Sequence, residues 1–199
     1  CDGVEAAFRG VPGILLISTH EEQRWPFTGA IEDHSGGVAI NIPLPKDTND
    51  SEFSAVLEAL ILPAVVKHRP QAIILQCGAD AVLEDPLSRL ALSNNAHWQA
   101  VLALKSMAPR FLVLGGGGYN PWSVGRLWTG VWAILNDFTI PDILPEPAQA
   151  VLENLKWKWR ASPKSNLLTT LRDLPRNGNV RQIIQDRIRI LKPRLLTEV

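Results

Sequence analysis

Two short apolar runs, Ala72 to Leu75 and Phe111 to Leu114, break off into glycine and polar residues instead of continuing as apolar sequence. The first ends in Gln76-Cys77-Gly78-Ala79-Asp80. The second ends in Gly115-Gly116-Gly117-Gly118-Tyr119, which holds the only tyrosine of the chain. Runs of this length, bounded by turn residues, read as strands. Helical spacing appears around them. From Ser51 to Lys67 the residues Phe53, Val56, Leu57, Leu60, Ile61 and Val65 recur at intervals of three and four, with Ser51 or Asp50 expected as N-cap and a kink expected at Pro63. A helix is expected from about Asn95 to Met107, and another opens with Pro121 in its first turn. Two earlier β-rich runs, Ile14 to Ser18 and Val38 to Leu44, flank a turn-rich segment from Glu21 to Gly37. Strands alternating with helices mean parallel βαβ units, hence an α/β fold with an open, mostly parallel sheet and helices on both faces. Ligands of such sheets bind beyond the carboxyl ends of the strands, so Asp80 and Tyr119 read as one site. The glycines there let backbone approach a substrate closely.

The 199 residues are 46% hydrophobic and 20% charged, the makeup of one globular domain with a real core. Twenty acidic residues balance twenty basic ones, so net charge gives no reason to expect nucleic acid or a membrane surface as partner. Two cysteines, Cys1 and Cys77, are too few for a disulfide scaffold and fit a reducing cytoplasm. No apolar run reaches the ~20 residues of a membrane span. The chain opens at Cys1-Asp2-Gly3 without an initiator methionine, and its only methionine is Met107, so further sequence is expected upstream. A lipidated Cys1 would call for a polar tether, which the sequence lacks. After Pro141, the prolines Pro145 and Pro147 mark a connector. An irregular tail with Trp157 and Trp159 and a charged helix near Val180 to Leu191 follow. This extension, 141–199, is expected to pack on the domain formed by 1–140, because tryptophans seldom stay solvated.

An aspartate after glycine at a strand exit serves either as a turn residue or as a hard oxygen ligand; a catalytic zinc takes three protein ligands and keeps one open position. A tyrosine on a glycine-supported loop either packs or donates to a developing oxyanion. The four glycines match neither G-x-G-x-x-G nor G-x-x-x-x-G-K-[ST], which argues against a phosphate loop. His20, at the exit of the first strand, is a candidate acid, base or ligand and equally a structural histidine. His34, His68 and His97 receive no role. Neither H-E-x-x-H, paired C-x-x-C nor a nucleophile elbow occurs.

Taken in order, Leu75-Gln-Cys-Gly-Ala-Asp80, Asp85-Pro86-Leu87, Leu114-Gly-Gly-Gly-Gly-Tyr-Asn120 and Arg126-Leu127-Trp128-Thr129 resemble the zinc-dependent histone deacetylase superfamily, especially its bacterial acetoin-utilisation branch. The resemblance runs from Asp2 to about Asn136. Cys1-Asp-Gly-Val-Glu-Ala-Ala-Phe8 is similar to the tail of the family's H-H-G-D-G-V-E-x-A-F segment, and Ile17-Ser-Thr-His20 to its Ser-x-His strand end. The resemblance implies the arginase/deacetylase α/β fold, incomplete at the N-terminus. It makes Asp80 one of three zinc ligands, Tyr119 the hydroxyl that stabilises the oxyanion, and Asp2 the carboxylate that orients a catalytic histidine. Trp25 and Leu87 fall at walls of the acyl channel, with Gly117 and Gly118 beside them. Ser18 and Thr19 match one structural potassium site, and Phe8, Val11, Ile14 and Val38 match a second. Trp25 stands where the family has phenylalanine and Phe27 where it has glycine, so the channel is expected to differ in shape from the eukaryotic enzymes.

The remaining ligands and the catalytic histidines of the family fall upstream of Cys1. The expected protein is therefore the C-terminal half of a zinc deacetylase, acting on acetyl-lysine, an acetylpolyamine or another acetylated amine, and inactive by itself. It is expected to associate with its missing half or with itself. The rival is a metal-free binding or assembly domain that keeps the fold without the chemistry.

Overall fold

The structure is a computed structural model, which describes residues 2–157 and 163–196. Cys1 and Trp159 lie outside the described residues. A short helix α1 (Asp2–Ala7) leads to β1 (Leu16–Glu21) and β2 (Ala39–Leu44), which pair in parallel from Leu16 opposite Ala39 to Glu21 opposite Leu44. Helices α2 (Asp50–Val56) and α3 (Leu62–His68) precede β3 (Ile73–Cys77), and α4 (Asn94–Leu104) carries the chain to β4 (Phe111–Gly115). Strands β3 and β4 are also parallel, from Ile73 opposite Phe111 to Cys77 opposite Gly115. Helices α5 (Pro121–Leu135), α6 (Glu146–Asn154), α7 (Asn166–Thr169) and α8 (Gln182–Leu196) complete the described chain. The architecture is α/β, with the strands grouped as two parallel pairs and helices on both faces.

The expected helix over 51–67 is three segments. Leu57–Ile61 forms a π-helical turn between α2 and α3, with the Leu62 N–H reaching the carbonyl of Leu57. Pro63 explains it: the residue has no N–H for the carbonyl of Ala59, and its ring would clash there, so the preceding turn widens. The N-cap is neither Ser51 nor Asp50 but Asn49. Its side chain accepts from the Glu52 N–H while Glu52 accepts from the Asn49 N–H, a reciprocal capping box. Where a connector was read, Pro145 instead caps α6 and Pro147 sits in its first turn, positions that need no intrahelical N–H.

Two apolar clusters hold the elements together. Ile42, Leu44, Phe53, Val56, Leu57 and Leu60 pack with Ile184, Leu191 and Leu195 of α8. Cys77, Val82, Trp98, Val101, Leu127 and Val131 pack with Leu144 and Leu171. Polar ties reinforce the second. Arg126, 1% exposed, donates to the Thr170 carbonyl at 2.7 Å and to Asp173 at 2.5 Å. Trp122 donates to the Leu152 carbonyl at 2.8 Å and meets the Trp157 ring edge-on, centroids 5.9 Å apart. Among the described residues no helix is long and apolar enough to cross a membrane.

Candidate active site

The register of β3 against β4 places Cys77 beside Gly115, so the loops leaving the two strands run side by side. Their backbones touch: the Ala79 N–H donates to the Gly117 carbonyl at 2.6 Å. Glycine is required at two points of this contact. A Cβ on Gly117 would lie 2.2 Å from Oδ2 of Asp80, and one on Gly78 would lie 2.5 Å from Oδ1. The two glycines thus cradle the Asp80 carboxylate. Burial raises the pKa of Asp80, and the negative charge of Glu21 raises it further. Gly118, at φ +141°, turns the chain so that Tyr119 follows, 48% exposed, just before α5. The loop end is fixed by Asn120, whose side chain caps α5 at the N–H groups of Trp122 and Ser123, with Pro121 in the first turn.

From the other side, Glu21 at the end of β1 gathers the walls. It accepts from Arg89 Nε at 2.6 Å and from the Arg89 N–H at 2.8 Å, and it lies 3.5 Å from Arg24 Nε. Arg24 in turn donates to the Leu87 carbonyl. This brings the segment of Trp25 against that of Leu87. Both channel-wall candidates project, Trp25 80% and Leu87 44% exposed.

His20 is engaged at both ring nitrogens. Nε2 donates to the Gly29 carbonyl at 2.9 Å, and Nδ1 takes the Ser18 hydroxyl at 3.0 Å. Gly29, at φ +78°, allows the ring to press on its backbone, where a Cβ would be 2.7 Å away. Burial lowers the pKa of His20, so it acts as a neutral strut for the loop that carries Trp25. His97, given no role from sequence, donates from Nε2 to the Gly78 carbonyl at 2.8 Å and so supports the Asp80 loop; burial lowers its pKa as well.

The potassium-site candidates lie around α1 and β1. Ser18 and Thr19 are in β1; the Phe8 carbonyl accepts the Val11 N–H at 3.0 Å, and the Val38 carbonyl accepts the Leu16 N–H at 2.8 Å. Ile14 stands in the loop before β1, and Asp2 opens α1, exposed. Among the described residues no group of three or more His, Cys, Asp or Glu side chains is arranged to hold a metal ion. Asp80 has the chemistry of one zinc ligand, so the donor set on these residues does not make a zinc site by itself.

Comparison with known proteins decides the family. The histone deacetylase domain matches residues 1–135. The chain belongs to the histone deacetylase family. It is 36% identical over 151 residues to histone deacetylase 9 of Arabidopsis thaliana, covering 73% of this chain and 35% of that protein. It is 34% identical over 149 residues to histone deacetylase 1 of Homo sapiens, covering 72% of this chain and 31% of that protein. A crystal structure of a histone deacetylase homologue from Aquifex aeolicus superimposes with a TM-score of 0.86 at 34% identity, over 96% of this chain and 54% of that one. The chain thus spans about a third of the length of these curated relatives and about half of the solved structure. The matched segment holds every strand of the described residues and both glycine-lined loops.

Of the residues singled out by sequence, the fold joins Asp80, Gly117, Gly118 and Tyr119 at one pair of strand exits, with Leu87 and Trp25 linked to each other through Arg24. Sequence reasoning missed Glu21, His97 and Asn120. Asn-Pro at a helix start was a readable cap signal; Glu21 carried none, because its partners lie up to 68 residues away.

Proposed function

We propose that the chain supplies the aspartate and tyrosine half of a zinc-dependent deacetylase of the bacterial acetoin-utilisation branch, which hydrolyses an acetylated amine to acetate and free amine. The observation that carries this reading is the cradle at the paired exits of β3 and β4, where Gly78 and Gly117 seat the Asp80 carboxylate and Tyr119 follows one residue after the turn at Gly118. In the complete protein Asp80 is one zinc ligand, and the other ligands come from residues outside this chain. Tyr119 donates its hydroxyl to the oxyanion that develops on the acetyl carbonyl, the point at which a preorganised donor lowers the barrier most. Asp2 orients a histidine of the outside portion. Trp25 and Leu87 wall the acyl channel, whose floor is Gly117 and Gly118. Ser18 donates its proton to His20 and keeps its oxygen lone pairs free, which suits a structural potassium shared with Thr19. Backbone oxygens of Phe8, Val11, Ile14 and Val38 form the second potassium site. The substrate is acetyl-lysine or a small acetylated amine, and the protein acts in the cytoplasm. Residues 1–140 form the catalytic portion and 141–199 an extension.

The test is acetate release by the complete protein. Tyr119→Phe is expected to lower kcat about a hundredfold or more at unchanged zinc content, since one oxyanion donor is worth on the order of 3 kcal/mol. Asp80→Ala is expected to lose the metal. Retention of most of kcat by the phenylalanine variant would overturn the role of Tyr119. Absence of any acetate release from the wild-type protein would favour a metal-free assembly domain.

A further inference from the structure

Asp85 has no part in the chemistry described so far, yet it is one of the few buried carboxylates, 5% exposed. Its two oxygens serve two different stretches of chain. Oδ1 accepts the Leu87 N–H at 2.9 Å, an ordinary turn contact two residues away. Oδ2 accepts the N–H of Tyr119 at 2.7 Å, across 34 residues. A turn does not need that second bond. The next residue along returns the grip: Asn120 Nδ2 donates to the Glu84 carbonyl at 3.0 Å. Glu84 and Asp85 are thus clasped to Tyr119 and Asn120 by two bonds running in opposite directions.

The loop being held is the one least able to hold itself. Gly115 to Gly118 contribute no side chains, and glycine loses more conformational freedom on ordering than any other residue. Whatever fixes Tyr119 must come from outside the loop, and a carboxylate receiving an amide N–H makes a charge-assisted bond, stronger than a neutral one. Burying a carboxylate for a turn alone would be a costly choice.

On the reading of Tyr119 as the oxyanion donor, we infer that Asp85 is a positioning residue for the reaction: it fixes the backbone at Tyr119, and with it the hydroxyl, in register with the Leu87 wall of the channel. Asp85 touches neither substrate nor metal.

The experiment uses the complete protein labelled with ¹⁵N-tyrosine, in which the Tyr119 amide is the cross-peak that disappears in Tyr119→Phe. In Asp85→Ala the Tyr119 amide exchanges with solvent at least about tenfold faster, kcat falls about tenfold or more, and zinc content stays near wild type. Combined with Tyr119→Phe, the same substitution costs little further activity, because both act through one hydroxyl. If Asp85→Ala does not fold, Asp85→Asn decides: its single amide oxygen can satisfy only one of the two N–H groups, so either Tyr119 or Leu87 loses protection. Unchanged protection and unchanged kcat in the Asp85 variants would overturn the inference. So would an equal loss of kcat in the Tyr119→Phe background, the mark of a merely structural residue. If instead Tyr119→Phe itself keeps its kcat, the oxyanion reading has failed, and the inference with it, whatever Asp85 does.

Discussion

Phe27 holds a left-handed backbone, φ +64°, at a position where the resemblance places a glycine, and its side chain is 75% exposed beside Trp25. An L-residue there pays roughly 1–2 kcal/mol of backbone strain, part of which glycine would give back as extra freedom of the unfolded chain. Phe27→Gly is therefore expected to stabilise the protein by up to about 1 kcal/mol in chemical denaturation. It is also expected to change KM, because Phe27 stands two residues from Trp25, the proposed channel wall, where the family has glycine. A less stable variant would show that the aromatic ring is packed against something that outweighs the strain. Asp80 and Tyr119 were noticeable as candidates from sequence because each follows glycine at the end of an apolar run, and neither needed a partner to be picked out. Glu21 and Asp85 were not legible as linking residues. Their roles come from bonds to Arg89 and Tyr119, and only the fold brings those residues near.

At the scale of elements, the runs that stop at a proline, at Gly78 and at Gly115 were readable as strands, whereas the first, expected over 14–18 with neither glycine nor proline to end it, continues through Glu21 as β1, and helix starts were less legible still. Asp47, Thr48, Asn49, Asp50 and Ser51 are all cap formers in succession, and only the spacing from Asn49 to Glu52 separates the true cap from its neighbours. Glu52 does more than cap. Its side chain, wholly buried, receives Arg181 Nε at 2.5 Å and Nη2 at 2.8 Å, which ties the start of α2 to the residue before α8. Burial acts to raise its pKa, but hydrogen bonds from Arg181 and the Asn49 amide outweigh it, so the carboxyl lies below its ordinary 4.5. A depressed carboxyl stabilises the fold above the unfolded value and loses that contribution as pH falls through the folded value. Stability is thus expected to drop below about pH 4.5, and Glu52→Gln, which keeps the capping box, flattens that limb when denaturation midpoints are compared across pH. An unchanged acid limb in the glutamine variant would assign the loss to other groups.

For the whole molecule, the described strands form two separate two-stranded sheets, and one face of the β3–β4 pair is bare: Ile74 is 66%, Leu112 52% and Leu114 45% exposed. Two-stranded units with apolar faces uncovered invite pairing. Residues 1–199 alone are expected to self-associate, or to pair with the remainder of the domain that the Aquifex homologue carries beyond the 54% shared with this chain. A stable, concentration-independent monomer in sedimentation would show that these faces are covered in another way. The proposed function rests on a divided site, with Asp80 and Tyr119 in this chain and the other metal ligands elsewhere. Its most direct test is a zinc titration of the purified chain by calorimetry, paired with an acetyl-lysine turnover assay. The expected results are zinc binding weaker than micromolar and no acetate released. Tight stoichiometric zinc together with turnover by residues 1–199 alone would contradict the divided site.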